Sequence, residues 1–256
     1  MIINRVVLKI GGSILFGTFP PDSAFFSKAI RAISNFIRRV KECNKNTKIA
    51  IVIGGGKPAR HYIQLANSMG LSSYIQDLIG IEITRTNAMI LLNCVKKFLE
   101  ENNDSELSEK ISSTIPRSSI EAIKLLEASD IIFLGGYFPG QSTIGPAALT
   151  AEAMKADLLL IATNVPGVFT SDPNIDPNAK KLARMTPQEL KRLIMDYESK
   201  PGTYQVMDLV AVSVIERSGI PTIIFDARDV DNIVKVIDLY IQQKMDEIGK
   251  IGTIIY

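Results

Sequence analysis

Lys9 closes a short apolar run, Val6-Val7-Leu8, and two glycines follow it in Lys9-Ile10-Gly11-Gly12-Ser13. A second apolar run, Ile49-Ala50-Ile51-Val52-Ile53, ends at Gly54-Gly55-Gly56-Lys57, with Arg60 shortly after. Successive glycines leave backbone N–H groups unobstructed, and beside a helix N-terminus they form a concave anion site. Two such loops suit two phosphate groups facing each other, as in phosphoryl transfer. That chemistry needs cationic compensation of charge on the transferring oxygens more than covalent participation by the protein. Lys9 is placed to span donor and acceptor phosphates, and Arg60 offers a guanidinium fork within the first turn of the following helix. Neither loop reads GxxxxGK[ST] or GxGxxG, so each alone is a weak signal. A tight strand–helix turn accounts for one glycine loop, a lysine reaching solvent for Lys9, and a solvated helix residue for Arg60. Their coincidence favours the anion sites.

Elements of a particular kind must hold such loops. The runs at 6–8, 49–53, 131–134 and 158–161 are apolar throughout, as expected of strands buried on both faces of a mostly parallel sheet. Helical patterns lie between them at roughly 22–43, 57–69, 76–101, 118–128 and 147–156. Pro21-Asp22-Ser23 is a helix start, with a capping residue just ahead of an apolar 3.6-residue repeat. After about residue 165 come turn-rich segments, Val165-Pro166-Gly167-Val168 and Asp172-Pro173-Asn174-Ile175-Asp176-Pro177. Helices near 186–196, 208–218 and 229–246 and strands near 221–225 and 251–255 complete the pattern. Glu100-Glu101-Asn102-Asn103-Asp104-Ser105 reads as a disordered tip. The expectation is a three-layer αβα sandwich around a mostly parallel central sheet, forming one domain over 1–256. Residues 1–156 would be its acceptor-binding half and 157–256 its nucleotide-binding half. In an open sheet of this kind ligands sit beyond the carboxyl ends of the strands, where both glycine loops fall.

Composition excludes several alternatives. Apolar residues make up 46% of the 256 and are spread along the chain, enough for a sizeable core. A net charge of +2, no tryptophan and no basic–aromatic stripe argue against a nucleic-acid partner. The absence of an 18-residue uncharged apolar run argues against a membrane span. The N-terminal residues lack a signal-peptide layout. Cys43 and Cys94 read as free, partly buried thiols, so a cytoplasmic setting is expected. His61, the single histidine, reads as a helix residue without a catalytic role.

Further landmarks bring a resemblance into view. Gln76-Asp77-Leu78-Ile79-Gly80-Ile81, Gly135-Gly136-Tyr137-Phe138-Pro139-Gly140-Gln141-Ser142-Thr143 and Ala162-Thr163-Asn164-Val165-Pro166-Gly167-Val168-Phe169-Thr170-Ser171-Asp172-Pro173 follow the two glycine loops in order. Pro201-Gly202-Thr203-Tyr204 and Met207-Asp208-Leu209 complete them. With these the chain resembles the amino acid kinase family, and within it the archaeal UMP kinases, over nearly its whole length. The resemblance implies transfer of the γ-phosphoryl group of ATP to UMP, with Mg²⁺ carried by ATP, in pyrimidine nucleotide biosynthesis. It implies that Lys9, Ile10, Gly11, Gly12, Ser13, Gly56 and Arg60 hold ATP phosphates. Thr163, Asn164, Phe169 and Asp172 would form the adenine and ribose side. Gly55 would touch the acceptor phosphate and Asp77 the ribose hydroxyls. Tyr137, Phe138, Pro139, Gly140, Gln141, Ser142 and Thr143 would surround the uracil and acceptor phosphate. Asp208 would organise the catalytic Lys9; read by itself it is an N-cap aspartate. No direct protein ligand for a metal is expected. A hexamer built from dimers is implied, with the apolar helix at 22–37 as one interface candidate.

Three departures from the family pattern stand out. Pro166 and Phe169 replace a common aspartate and tyrosine in the nucleotide loop, and Ile144-Gly145-Pro146 replaces an aspartate after the acceptor segment. Other kinases of this fold, acting on isopentenyl phosphate or acetylglutamate, remain alternatives, as does a nucleotide-binding sensor without turnover. Asp77 and Arg60 argue against the first, Asn164 in place of a lysine against the second, and Lys9 with Asp208 against the sensor.

Overall fold

The computed structural model describes residues 2–173, 175–198 and 207–256, so the landmark Pro201-Gly202-Thr203-Tyr204 lies outside the described residues. The chain runs β1 (Arg5–Ile10), α1 (Gly12–Leu15), α2 (Ser23–Cys43), β2 (Lys48–Ile53), α3 (Gly56–Ser68), α4 (Ser73–Glu101), α5 (Ser105–Glu109) and α6 (Ser119–Ala128). It continues with β3 (Ile131–Leu134), α7 (Ile144–Ala153), β4 (Leu158–Thr163), β5 (Val168–Phe169), β6 (Lys181–Leu182), β7 (Arg184–Met185) and α8 (Pro187–Glu198). The last elements are α9 (Leu209–Ser218), β8 (Thr222–Asp226), α10 (Asn232–Ile241), α11 (Met245–Ile251) and β9 (Gly252–Ile255).

Seven strands form one sheet in the order β3-β2-β1-β4-β8-β9-β7. All neighbours in it are parallel except β8 and β9. The expected mostly parallel αβα sandwich is therefore the observed fold. Side-chain alternation along β1 sends Val6, Leu8 and Ile10 into a core with α2, α4, α10 and α11, and Val7 into a second core with α6 to α9. Lys9 shares Val7's face. This parity later decides which partners Lys9 meets.

Asp22 caps α2 as its position suggests, its Oδ1 accepting from Phe25 N at 2.7 Å. The apolar stripe of α2, including Ile33, Phe36, Ile37 and Val40, is fully buried in the first core. Each such side chain contributes about 1.5–3 kcal/mol on burial, so this stripe serves the core and is not available as the subunit interface expected of the helix at 22–37. Exposed large apolar side chains gather instead on and just after α3 and on the first turn of α4: Tyr62, Leu65, Met69 and Tyr74.

Two further expectations are corrected. The segment 100–105 is an ordered turn, with Asn103 in the left-handed region and Asp104 held by Arg38 at 2.8 Å. The helix expected over 229–246 is two helices, broken where Gln243 takes φ 61°. Helix α4 is long and apolar enough to cross a membrane by composition, yet it packs against α2, α3 and β3 and carries site residues on its inner face.

Candidate active site

The ends of β1, β2 and β4 are stitched together by backbone hydrogen bonds. Gly11 N donates to Ala162 O at 2.8 Å, Gly54 N to Ile10 O at 3.1 Å and Lys57 N to Phe16 O at 2.8 Å. The two glycine loops touch backbone to backbone: a Cβ on Gly12 would lie 2.2 Å from Gly56 N and 2.7 Å from Gly54 O. Glycine is thus required at Gly12 by close approach, and at Gly56 also by φ +63°. Gly55 is right-handed helical at φ −76°, ψ −34°. A right-handed residue followed by one at positive φ turns successive N–H groups into a common concavity, an anion-binding nest.

A cleft of about 330 Å³ opens over this nest. Ser13, Gly55, Gly56 and Arg60 line it together with Asp77, Phe138, Gln141, Ser142 and Thr143. Nine residues expected from sequence to hold phosphate or nucleoside therefore share one cavity. Asp77 sits in the first turns of α4, and its Oδ2 accepts from Gly140 N at 2.7 Å, which ties segment 137–143 to the helix. Gly140 takes φ +76°, as the turn there requires. Gln141 Oε1 is buried without a hydrogen-bond partner among the described residues.

Lys9 is 7% exposed. Burial pushes its ammonium down from the ordinary 10.5 to about 8, and the negative charge of Asp208 opposes that shift. Asp208 Oδ1 accepts from Ala211 N at 2.8 Å, capping α9, and its Oδ2 accepts from Ser142 Oγ at 2.6 Å. One carboxylate therefore caps a helix, fastens segment 137–143 through Ser142 and biases the lysine on its side of the sheet. The N-cap reading of Asp208 is the observed one.

The remaining sequence-expected residues lie outside the cleft. Ile10 buries its side chain in the core, and its carbonyl is taken by Gly54 N. Tyr137 is buried, with its hydroxyl on Thr150 Oγ1 at 2.9 Å, and burial pushes it up to about 12. Thr163 and Asn164 end β4 beside Ala227, whose N donates to Thr163 O at 2.7 Å. Phe169 lies in the β5–β6 pair and Asp172 in the loop between those strands.

Residues 4–226 match the model of the amino acid kinase family. The chain belongs to that family. It is 38% identical to the uridylate kinase of Methanosarcina mazei over 91% of each chain. To that of Thermococcus kodakarensis it is 39% identical, covering 91% of this chain and 95% of the relative. The crystal structure of uridylate kinase from Archaeoglobus fulgidus superposes with a TM-score of 0.73 at 32% identity, covering 98% of this chain and 99% of that one.

Three residues of this amino acid kinase that build the site went unnoticed in the sequence. Thr84 Oγ1 accepts from Gly136 N and donates to Ile81 O, both at 2.6 Å. Asn87 Nδ2 donates to Gly54 O at 2.9 Å and to Gly55 O at 3.0 Å. Thr253 Oγ1 accepts from Val168 N at 2.8 Å and holds the loop after β4 against β9. Thr84 and Asn87 stand one turn apart on the buried stripe of α4, and a polar pair at helical spacing among apolar residues was the available signal.

Proposed function

We propose that this amino acid kinase is a UMP kinase. An oxyanion of the UMP phosphate attacks the γ-phosphorus of ATP in line, the bond to the β–γ bridging oxygen breaks, and UDP and ADP result. The observation that carries this reading is the single cleft holding the Gly55–Gly56 nest, Arg60 and the Asp77 carboxylate. A nest with a guanidinium suits a phosphate, and a carboxylate in the same cleft suits the vicinal hydroxyls of a ribose. The acceptor is already an anion at neutral pH, so no general base is assigned.

In this reading Lys9 compensates charge on the transferring phosphoryl group, and Asp208 keeps that ammonium protonated and in place. Gly11, Gly12, Ser13, Gly56 and Arg60 hold donor phosphates, with Ile10 contributing only backbone. Thr163, Asn164, Phe169 and Asp172 take adenine and ribose. Segment 137–143 takes uracil and the acceptor phosphate, Tyr137 serving it from the core through Thr150. Mg²⁺ enters on ATP and neutralises donor charge. Among the described residues no group of three or more His, Cys, Asp or Glu gathers as a metal cage. The halves 1–156 and 157–256 would serve acceptor and donor respectively, in the cytoplasm.

Asp77→Asn tests the acceptor assignment. Losing charged hydrogen bonds to the ribose costs about 1.5–3 kcal/mol, so KM for UMP should rise roughly tenfold to hundredfold while KM for ATP holds. Steady-state ADP release with UMP, dUMP, CMP, acetylglutamate and isopentenyl phosphate supplies the comparison. An unchanged KM for UMP, or wild-type preference for isopentenyl phosphate, would overturn the assignment.

We also place the chain in a homo-oligomer, hexameric by its resemblance, with the exposed Tyr62, Leu65, Met69 and Tyr74 as the contact. Light scattering should show a multimer that Leu65→Asp dissociates. A monomeric wild type would refute it.

A further inference from the structure

The glycine nest is not held by its own loop. A trans peptide is planar, so a carbonyl and the N–H of the next residue point in opposite directions. The carbonyls of Gly54 and Gly55 both face the Asn87 carboxamide, at 2.9 and 3.0 Å from Nδ2. Both hydrogens of one amide are thereby used on two consecutive peptides. The N–H groups of Gly55 and Gly56 must then point away from Asn87, and these are the residues that line the cleft.

The grip lies on the convex side of the nest. Gly55 at φ −76°, ψ −34° and Gly56 at φ +63° form the alternation that converges N–H groups. Besides Asn87, the Gly55 carbonyl accepts only a long bond from Ala59 N at 3.4 Å among the described residues; neither glycine has a side chain, and a flip of either peptide would turn its N–H out of the concavity. Asn87 is 3% exposed. Thr84, one turn earlier, holds Gly136 N in the same way, and Asp77 holds Gly140 N, so α4 indexes three loops from one inner face.

We infer that Asn87 is a positioning residue for phosphate binding: it directs the Gly55 N–H toward the acceptor phosphate and the Gly56 N–H toward the donor phosphate without touching either ligand. The inference rests on the UMP reading for the identity of the acceptor. A donor is required at Asn87 because both partners are carbonyl oxygens. Asn87→Asp keeps the shape but sets a carboxylate against two carbonyls, which drives at least one peptide to flip. Asn87→Ala removes the donors without adding charge.

Calorimetric titration of the full-length wild type and both variants with UMP, uridine and inorganic phosphate tests this. UMP affinity should fall roughly tenfold to hundredfold in Asn87→Asp and less in Asn87→Ala. Uridine affinity should stay within about twofold in both, since Asp77 and the uracil segment are untouched. Circular dichroism melting identifies a variant that fails to fold; if Asn87→Asp does, Asn87→Ala carries the test. Parallel loss of UMP and uridine binding would show a merely structural role and overturn the inference, as would no change in either. If wild type binds UMP no more tightly than uridine, the UMP reading fails instead. Inorganic phosphate then decides about Asn87: weaker binding in the variant sustains the inference, and equal binding overturns it.

Discussion

Lys9→Met should lower kcat by about a thousandfold or more and at the same time make the nucleotide-free protein more stable. The two effects share a cause. The Lys9 ammonium lies in the interior at the end of β1, and burial lowers it to about 8 from 10.5. At pH 7 it is protonated in both folded and unfolded chains, so folding bears the net cost of burying it beside Asp208, on the order of 3 kcal/mol. In the proposed mechanism donor and acceptor phosphates supply the missing negative charge, and the ammonium then stabilises the transition state. Methionine fills similar space without charge. Between about 8 and 10.5 the unfolded chain binds the extra proton, so wild-type stability should rise with pH across that window. The variant should lack this rise. For the same reason wild-type kcat/KM should fall above about pH 8 as free Lys9 deprotonates. Thermal melting without ligand and turnover from pH 6 to 10 check all three. Turnover within tenfold of wild type would remove Lys9 from the chemistry, and an unchanged melting temperature would contradict the cost of its burial.

Gly12→Ala is expected to cost kcat/KM about a hundredfold or more. The added Cβ would fall 2.2 Å from Gly56 N and 2.5 Å from Gly54 C, both backbone atoms that no rotamer change can move aside. One glycine loop must therefore withdraw from the other, and with the phosphates placed as proposed the distance between donor and acceptor grows with it. Near-attack geometry tolerates little such displacement. Gly70→Ala is the control. Gly70 is at positive φ, +74°, but a Cβ there meets nothing within 4 Å and the position lies between α3 and α4. It should lose about 1–2 kcal/mol of stability and no activity. Full activity in Gly12→Ala, measured on protein with a wild-type circular dichroism spectrum, would mean that the two loops move independently.

These effects trace to features of unequal visibility in the sequence. The buried strands were legible because helices cover both faces of the sheet, which leaves uninterrupted runs such as Ile49–Ile53 and Ile131–Leu134. The helix break at Gln243 was not, since no glycine or proline marks it and the turn is closed by Lys244 N on Leu239 O. Strands β5, β6 and β7 have two residues each and exist only through their tertiary partners. Within the site, Lys9 and the glycines announce themselves because phosphate chemistry needs those residue types. Asn87, Thr84 and Thr253 do not, because they act on backbone atoms of distant loops. Asp208 lies between these cases: its N-cap position was readable, while its bond to Ser142 across 66 residues required the fold. Gly140 N on Asp77 likewise joins residues 63 apart.

The most direct measurement is the fate of the γ-phosphoryl group itself. Wild-type protein is mixed with γ-³²P-labelled ATP, Mg²⁺ and UMP, and the nucleotides are separated. The label should appear in the β-phosphate of UDP, in step with ADP release, and Lys9→Met should leave it in ATP. Label recovered as inorganic phosphate, or retained in ATP by the wild type while both nucleotides bind, would contradict a kinase acting on UMP.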